Sequence, residues 1–153
     1  MRILMVCLGN ICRSPLAEGI MRHKIEVNQL DWEVDSAGTG SWHIGEAPDT
    51  RSIAIARKHG LDISHQTARQ VQVADLETFD LILTMDSSNY RDVLSLAQNE
   101  AQQQKVNMIL NYAFPESDES VPDPYWDSNG FAAVFQMLEE ACEQIVFKKS
   151  IPI

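Results

Sequence analysis

Arg2-Ile3-Leu4-Met5-Val6-Cys7-Leu8-Gly9-Asn10-Ile11-Cys12-Arg13-Ser14-Pro15 is the stretch on which the fold turns. Its first six residues form a nearly continuous apolar run, as in a strand buried on both faces. Gly9-Asn10 breaks the run. Ser14-Pro15 then reads as an N-cap followed by proline at the first helical position, and Leu16, Ala17, Ile20 and Met21 place an apolar stripe on the helix that follows. A buried strand, a tight loop and a helix in that order begin a parallel α/β sheet.

The rest of the chain repeats the alternation. Trp32 to Ala37 reads as a second strand, followed by a loop from Gly38 to Pro48. Asp49 caps a helix carrying Ile53, Ala54 and Ala56, which Gly60 stops. Phe79 to Met85 reads as a third strand, with a helix from Asp86 or Ser87 through Leu96, and Val106 to Leu110 as a fourth. A turn-rich acidic segment, Pro115 to Asn129, leads to a last helix on which Phe131, Val134, Phe135, Leu138, Cys142 and Ile145 recur at helical spacing. The expectation is an α/β fold: one domain over residues 1–153, with a four-stranded parallel sheet and helices on both faces. A chain of 153 residues buries roughly 70% of the surface it exposes when unfolded.

Composition narrows the function. The formal charge is −10, from 12 Lys and Arg against 22 Asp and Glu, which argues against nucleic-acid binding. The charge is uneven, however. Arg2, Arg13, Arg22 and Lys24 face only Glu18 within the first 24 residues, so any anion site is expected there. Three cysteines cannot form a complete disulfide framework, and the apolar run at the start is shorter than a signal-peptide core or a membrane span. A cytoplasmic protein with reduced thiols and no membrane attachment is the expectation.

The loop from Cys7 to Arg13 lies between a strand end and a helix N-terminus. That is the edge of an open α/β sheet where ligands bind and where helix N–H donors are free. Gly9 and Asn10 tolerate the positive φ needed to wrap N–H groups around a dianion. Arg13 can clamp two oxygens with its planar fork. Cys7 sits beneath the cup, where the same donors stabilise a thiolate and Ser14 can donate to it. The implied chemistry is nucleophilic attack on phosphorus with a phosphocysteine intermediate. Gly38-Thr39-Gly40 lacks the third glycine of a dinucleotide loop, and Gly9 to Ser14 lacks the Gly-Lys pair of a nucleotide-binding P-loop. His23, His43, His59 and His65 show no zinc-ligand spacing with the cysteines. No metal and no organic cofactor are expected.

Val6 to Pro15 resembles the signature loop of the low-molecular-weight protein tyrosine phosphatases, with a second anchor at Val121-Pro122-Asp123-Pro124-Tyr125. The resemblance spans nearly the whole chain. It implies a phosphotyrosine protein phosphatase I-like fold and a metal-independent phosphatase acting on phosphotyrosine proteins or small aryl phosphates, as a monomer or weak dimer. Cys7, Arg13 and Asp123 are its implied catalytic residues, Asp123 supplying the proton that a phenolate of pKa about 10 needs on leaving. Leu8, Gly9, Asn10, Ile11, Cys12 and Ser14 complete the implied phosphate site, and Trp42, Tyr125 and Trp126 the walls for an aromatic ring. Many relatives carry Tyr-Gly where this chain has Trp126-Asp127. Ser36 and His65 match a supporting network that holds Asn10 and Ser14, and Asp86 is placed with them. Cys12, in the same loop as Cys7, is a candidate for a reversible disulfide protecting an oxidised nucleophile.

Three other functions fit parts of the pattern. An arsenate reductase shares the fold and loop, but relays electrons through cysteines near residues 80–90, and none stands there. A protein arginine phosphatase carries Thr where this chain has Ile11, so Ile11 favours tyrosine. A binding module that merely captures a phosphorylated ligand does not need both Cys7 and Asp123.

Overall fold

In a computed structural model that describes residues 1–150 (the Ser150 side chain excepted), the first strand, β1 (Arg2–Cys7), is the second of four. It is flanked by β2 (Glu33–Gly38) and β3 (Leu81–Thr84), and β3 pairs in turn with β4 (Val106–Met108). All three pairings are parallel, with Cys7 opposite Gly38 and Val6 opposite Thr84. The period of two along β1 divides the core. Ile3, Met5 and Cys7 pack with Leu16, Ile20, Met21, Leu138 and Ile145 on one face. Leu4 and Val6 pack with Leu76, Ile82 and Val93 on the other. Helices α1 (Arg13–Val27), α2 (Thr50–Lys58), α6 (Ile109–Ala113) and α7 (Phe131–Ser150) thus cover the first face. The second face carries α3 (Asp75–Thr78) and α4 (Ser87–Leu94), with α5 (Glu100–Lys105) packed beside α3 and β4. This is the expected four-stranded parallel architecture in a single domain.

The local signals for helix ends hold at α2 and α4. Asp49 accepts from Arg51 N–H, and Asp86 accepts from Asn89 N–H. At the far end of α2, Gly60 has φ +80°, and Gly60 and Leu61 N–H donate to the carbonyls of Arg57 and Ala56, the Schellman arrangement. Two readings need correction. Helix α1 starts at Arg13 with Cys12 at its cap and no capping side chain, because the Ser14 hydroxyl is engaged with Cys7 and Asn10 instead. The fourth strand stops at Met108, and Ile109 and Leu110 turn into α6; a short apolar run does not distinguish strand from buried helix. Helices α3 and α5 carry no amphipathic signal long enough to read.

Candidate active site

The loop after β1 is set by what its carbonyls do. Cys7 C=O accepts from Thr39 N–H (2.9 Å), Leu8 C=O from Gly40 N–H (2.8 Å) and Ile11 C=O from Asp49 N–H (2.8 Å), while Cys12 C=O accepts from the Ser52 hydroxyl (3.2 Å). In a planar trans peptide the following N–H points the opposite way. The amides of Leu8, Gly9, Cys12 and Arg13 are therefore turned from the scaffold toward the cleft that these residues line. Asn10 makes the bend with φ +57°, an angle that asparagine tolerates. Gly38 is glycine because a Cβ there meets Leu8 O at 2.7 Å and Asn10 N at 3.1 Å. The loop rests directly on the end of β2.

Behind the loop runs a buried chain of hydrogen bonds whose direction is fixed at one end. Glu18, an acceptor only, receives the Ser36 hydroxyl at Oε1 (2.7 Å) and Arg22 at Oε2 (2.6 Å). With its proton committed, Ser36 Oγ accepts from Asn10 Nδ2 (3.0 Å). Asn10 Nδ2 also donates to Ser14 Oγ (2.7 Å), and Asn10 Oδ1 takes the N–H of Arg69 (3.0 Å). Ser14, accepting from Asn10, is left to donate toward Cys7 Sγ at 3.0 Å, closer than its other acceptor, Ala37 O at 3.5 Å. Donation therefore diverges from Asn10 Nδ2, through Ser36 to Glu18 on one side and to Ser14 on the other, and the Ser14 hydroxyl hydrogen is left for the sulfur.

Arg13 is 2% exposed. Its Nη1 donates to Asp86 Oδ2 (2.7 Å) and to the carbonyl of Val121 (2.9 Å). Nη2 stands 3.8 Å from Asp123 Oδ2. Among the described residues Nε and Nη2 make no hydrogen bond, so one edge of the fork is held and the other is free. The Val121 contact also anchors the strand of chain that carries Asp123, since Val121 N–H is tied to Met85 O (2.8 Å) at the end of β3. Asp123 caps a 3₁₀ turn, Pro124–Trp126, through Tyr125 N–H, leaving Oδ2 toward Arg13.

The resulting cleft has a volume of about 330 Å³. Its lining includes Cys7, Leu8, Gly9, Ile11, Cys12 and Arg13 below and Trp42, Asp123, Tyr125 and Trp126 above. Trp42 lies over Gly40, where a Cβ overlaps the indole at 2.0 Å. Trp126 meets Tyr125 edge-on with ring centroids 4.8 Å apart, and is 89% exposed, a rim rather than a wall. Burial, with the charges of Asp49, Cys7 and Asp123 added, pushes the Cys12 thiol up to about 12. No cluster of metal-ligating side chains occurs among the described residues.

Most residues singled out from the sequence converge here, with three exceptions. Asn10 and Ser14 do not line the cleft; their side chains are buried behind it. His65 is not in the supporting network. It is exposed and lines a separate depression with Gly19, Arg22, His23 and Gln66, and the partners expected of it come from Glu18 and the Arg69 backbone. The cationic character of the first 24 residues is spent elsewhere too: Arg2 pairs with Glu33, Arg22 with Glu18, and Lys24 with Glu139 and Glu143. Arg13 alone of the four faces the cleft. His43 was not singled out, yet it stands against Gly9 at the mouth, held by Glu46 at 2.6 Å.

The chain that places a cysteine beneath a cup of amides, with a half-free arginine and a facing carboxylate, is similar in sequence and fold to known proteins. The family model described as low molecular weight phosphotyrosine protein phosphatase matches residues 2–151. This chain belongs to that family. A relative from Synechocystis sp., named for the same phosphatase class, is 45% identical over 95% of this chain and 94% of its own. The crystal structure of a protein tyrosine phosphatase from Entamoeba histolytica, with Hepes in its active site, superposes with a TM-score of 0.90 at 37% identity, covering 97% of this chain and 96% of that one. A Drosophila arginine phosphatase superposes with a TM-score of 0.92 at 33% identity over all of both chains. Among the described residues no helix is long and apolar enough to cross a membrane.

Proposed function

We propose that this family member hydrolyses phosphotyrosine and related aryl phosphates in two steps through a phosphocysteine on Cys7. The loop amides and the free Nε and Nη2 of Arg13 hold the three non-bridging oxygens. The Cys7 thiolate attacks phosphorus opposite the aryl oxygen; the S–P bond forms as P–O breaks, and the departing phenolate takes the proton of Asp123. Water then attacks phosphorus and yields its proton to Asp123. The P–S bond breaks with its electron pair returning to sulfur, and phosphate leaves. Ser14 serves both steps, since a hydroxyl aimed at sulfur stabilises the thiolate as nucleophile and as leaving group.

The observation that carries this reading is the buried network centred on Asn10, which leaves the Ser14 hydroxyl donating to Cys7 beneath amides turned into the cleft. A core cysteine needs neither. The test is rapid mixing with an aryl phosphate. Phenol should appear in a burst with phosphate trapped on Cys7, and Cys7→Ser should release none. A fully active Cys7→Ser sinks the proposal. Asp123→Ala should slow substrates with poor leaving groups by about 10²-fold or more, and those with strongly acidic phenols little; equal losses remove Asp123 from the acid role.

A second reading, removal of phosphate from arginine, is supported by the likeness to the Drosophila enzyme. Ile11, packed with Cys12, Ala68 and Phe131, offers a methyl where a hydroxyl is needed for that leaving group, which favours tyrosine. Comparing phosphoarginine with phosphotyrosine peptides decides between them.

A further inference from the structure

Residues 122–130 carry Asp123 over the cleft, and nearly everything holding them is internal. Tyr125 and Asn129 N–H donate to the Asp123 and Asp127 carboxylates, and Asp127 and Gly130 N–H to the carbonyls of Pro124 and Asp127. Pro124 is the one buried side chain in the segment. Among the described residues two hydrogen bonds join it to the rest of the molecule: Val134 N–H to the Gly130 carbonyl (3.0 Å) where α7 begins, and, as its one side-chain bond outward, Arg51 Nη1 to Ser128 Oγ (3.1 Å). The same guanidinium stacks over Tyr125, 5.5 Å from the ring centroid, and over Phe131 at 4.7 Å. Its other edge is gripped bidentately by Asp49, Nε to Oδ1 at 3.0 Å and Nη2 to Oδ2 at 2.9 Å. Asp49 is itself fixed, because its N–H donates to Ile11 C=O in the phosphate loop.

We infer that Arg51 is a positioning residue for the general acid: it braces the segment bearing Asp123 against the phosphate loop through Asp49, and so sets the distance between the proton donor and the phosphoryl site. The inference rests on Asp123 being the acid. Arg51 does not line the cleft, so it has no role in holding phosphate. A displacement of about 1 Å between acid and leaving oxygen costs on the order of 10²-fold, and the loss should fall only where protonation matters. Lysine cannot replace it, since an ammonium cannot span Asp49, Ser128 and two ring faces together.

The test is kcat/KM, which reports P–O cleavage, for Arg51→Ala and Arg51→Lys on two aryl phosphates, one with a poor and one with a strongly acidic phenol. Both variants should lose about 10–100-fold on the first and less than about 3-fold on the second. In an Asp123→Ala background, Arg51→Ala should add nothing, because its only route is through Asp123. Three results overturn the inference while leaving the acid intact: equal loss on both substrates, losses that multiply in the double variant, or full activity in Arg51→Lys. If instead Asp123→Ala alone shows no preference between leaving groups, it is the reading of Asp123 that fails. Asp49 still caps α2 through the Arg51 backbone N–H, so the helix end survives the substitution.

Discussion

The two sides of the cleft are built by opposite means. The phosphate loop is fixed by scaffold donors on four of its carbonyls, a glycine pressed against its backbone and a buried chain from Glu18 to Cys7. The facing segment, 122–130, is exposed, bonded mainly to itself and tied down by Arg51 and the Arg13–Val121 contact. In the proposed mechanism attack at phosphorus is the same for every substrate, so its machinery can be rigid. The leaving group varies, and so can the segment that meets it. On that proposal the first side sets which reaction occurs and the second sets whose phosphate is removed.

Arg13 is where the two sides meet, so it is the severest place to break the comparison. Arg13→Lys should lower kcat/KM by about 10²–10³-fold with both good and poor leaving groups, since lysine can neither fork onto two oxygens nor hold Asp86 and Val121 together. A loss confined to poor leaving groups would assign Arg13 to the acid side alone. Stability separates the sides next. Asn10→Ala strands the Arg69 N–H and puts alanine, which lacks asparagine's tolerance of the left-handed region, at φ +57°. It should cost about 2–4 kcal/mol, seen as a fall in Tm. Trp126→Ala should leave stability unchanged within about 0.5 kcal/mol, with Tm little moved, while altering KM for aryl phosphates several-fold. Similar losses in both variants would remove the distinction.

Alkaline pH sharpens it last. The thiols of Cys12 and Cys142 are both pushed from 9.0 to about 12 by burial. Between those values the folded chain keeps protons that the unfolded chain has released, so their contribution is intact below pH 9 and lost as pH climbs toward 12. Lys24, with burial outweighed by its bonds to Glu139 and Glu143, is raised above 10.5 and adds to the same limb. Denaturant melts between pH 8 and 10.5 should show this decline, and Cys142→Ala should flatten it. An unchanged slope removes Cys142 from the account.

The phosphate side was legible because its elements are contiguous: apolar run, Gly-Asn bend and helix follow one another in fourteen residues. The acid side was found only through resemblance, since Asp before Pro is an ordinary turn. His65 was misplaced and Glu18 missed for one reason. Hydrogen-bond partners lie across elements, and no local pattern states that Ser36 on β2 faces α1. A trace existed, as Ser14, Glu18 and Arg22 recur every four residues and share a helix face. Segment charge misled because it is summed along the chain, whereas Arg2 and Lys24 are neutralised across the fold, by Glu33 and by Glu139 and Glu143. Nothing local marked Arg51, whose partners lie 74–80 residues away, apart from Asp49.

The amides that turn their backs on the scaffold have a cost for the working enzyme. A cup set in place before its ligand arrives reads three oxygens around a centre and nothing beyond them. Free phosphate, vanadate and other tetrahedral oxyanions satisfy it as well as the phosphoryl group of a substrate does. On the proposed mechanism the product of each turnover is therefore a competitor for the next, and the rate is tied to how much free phosphate surrounds the enzyme.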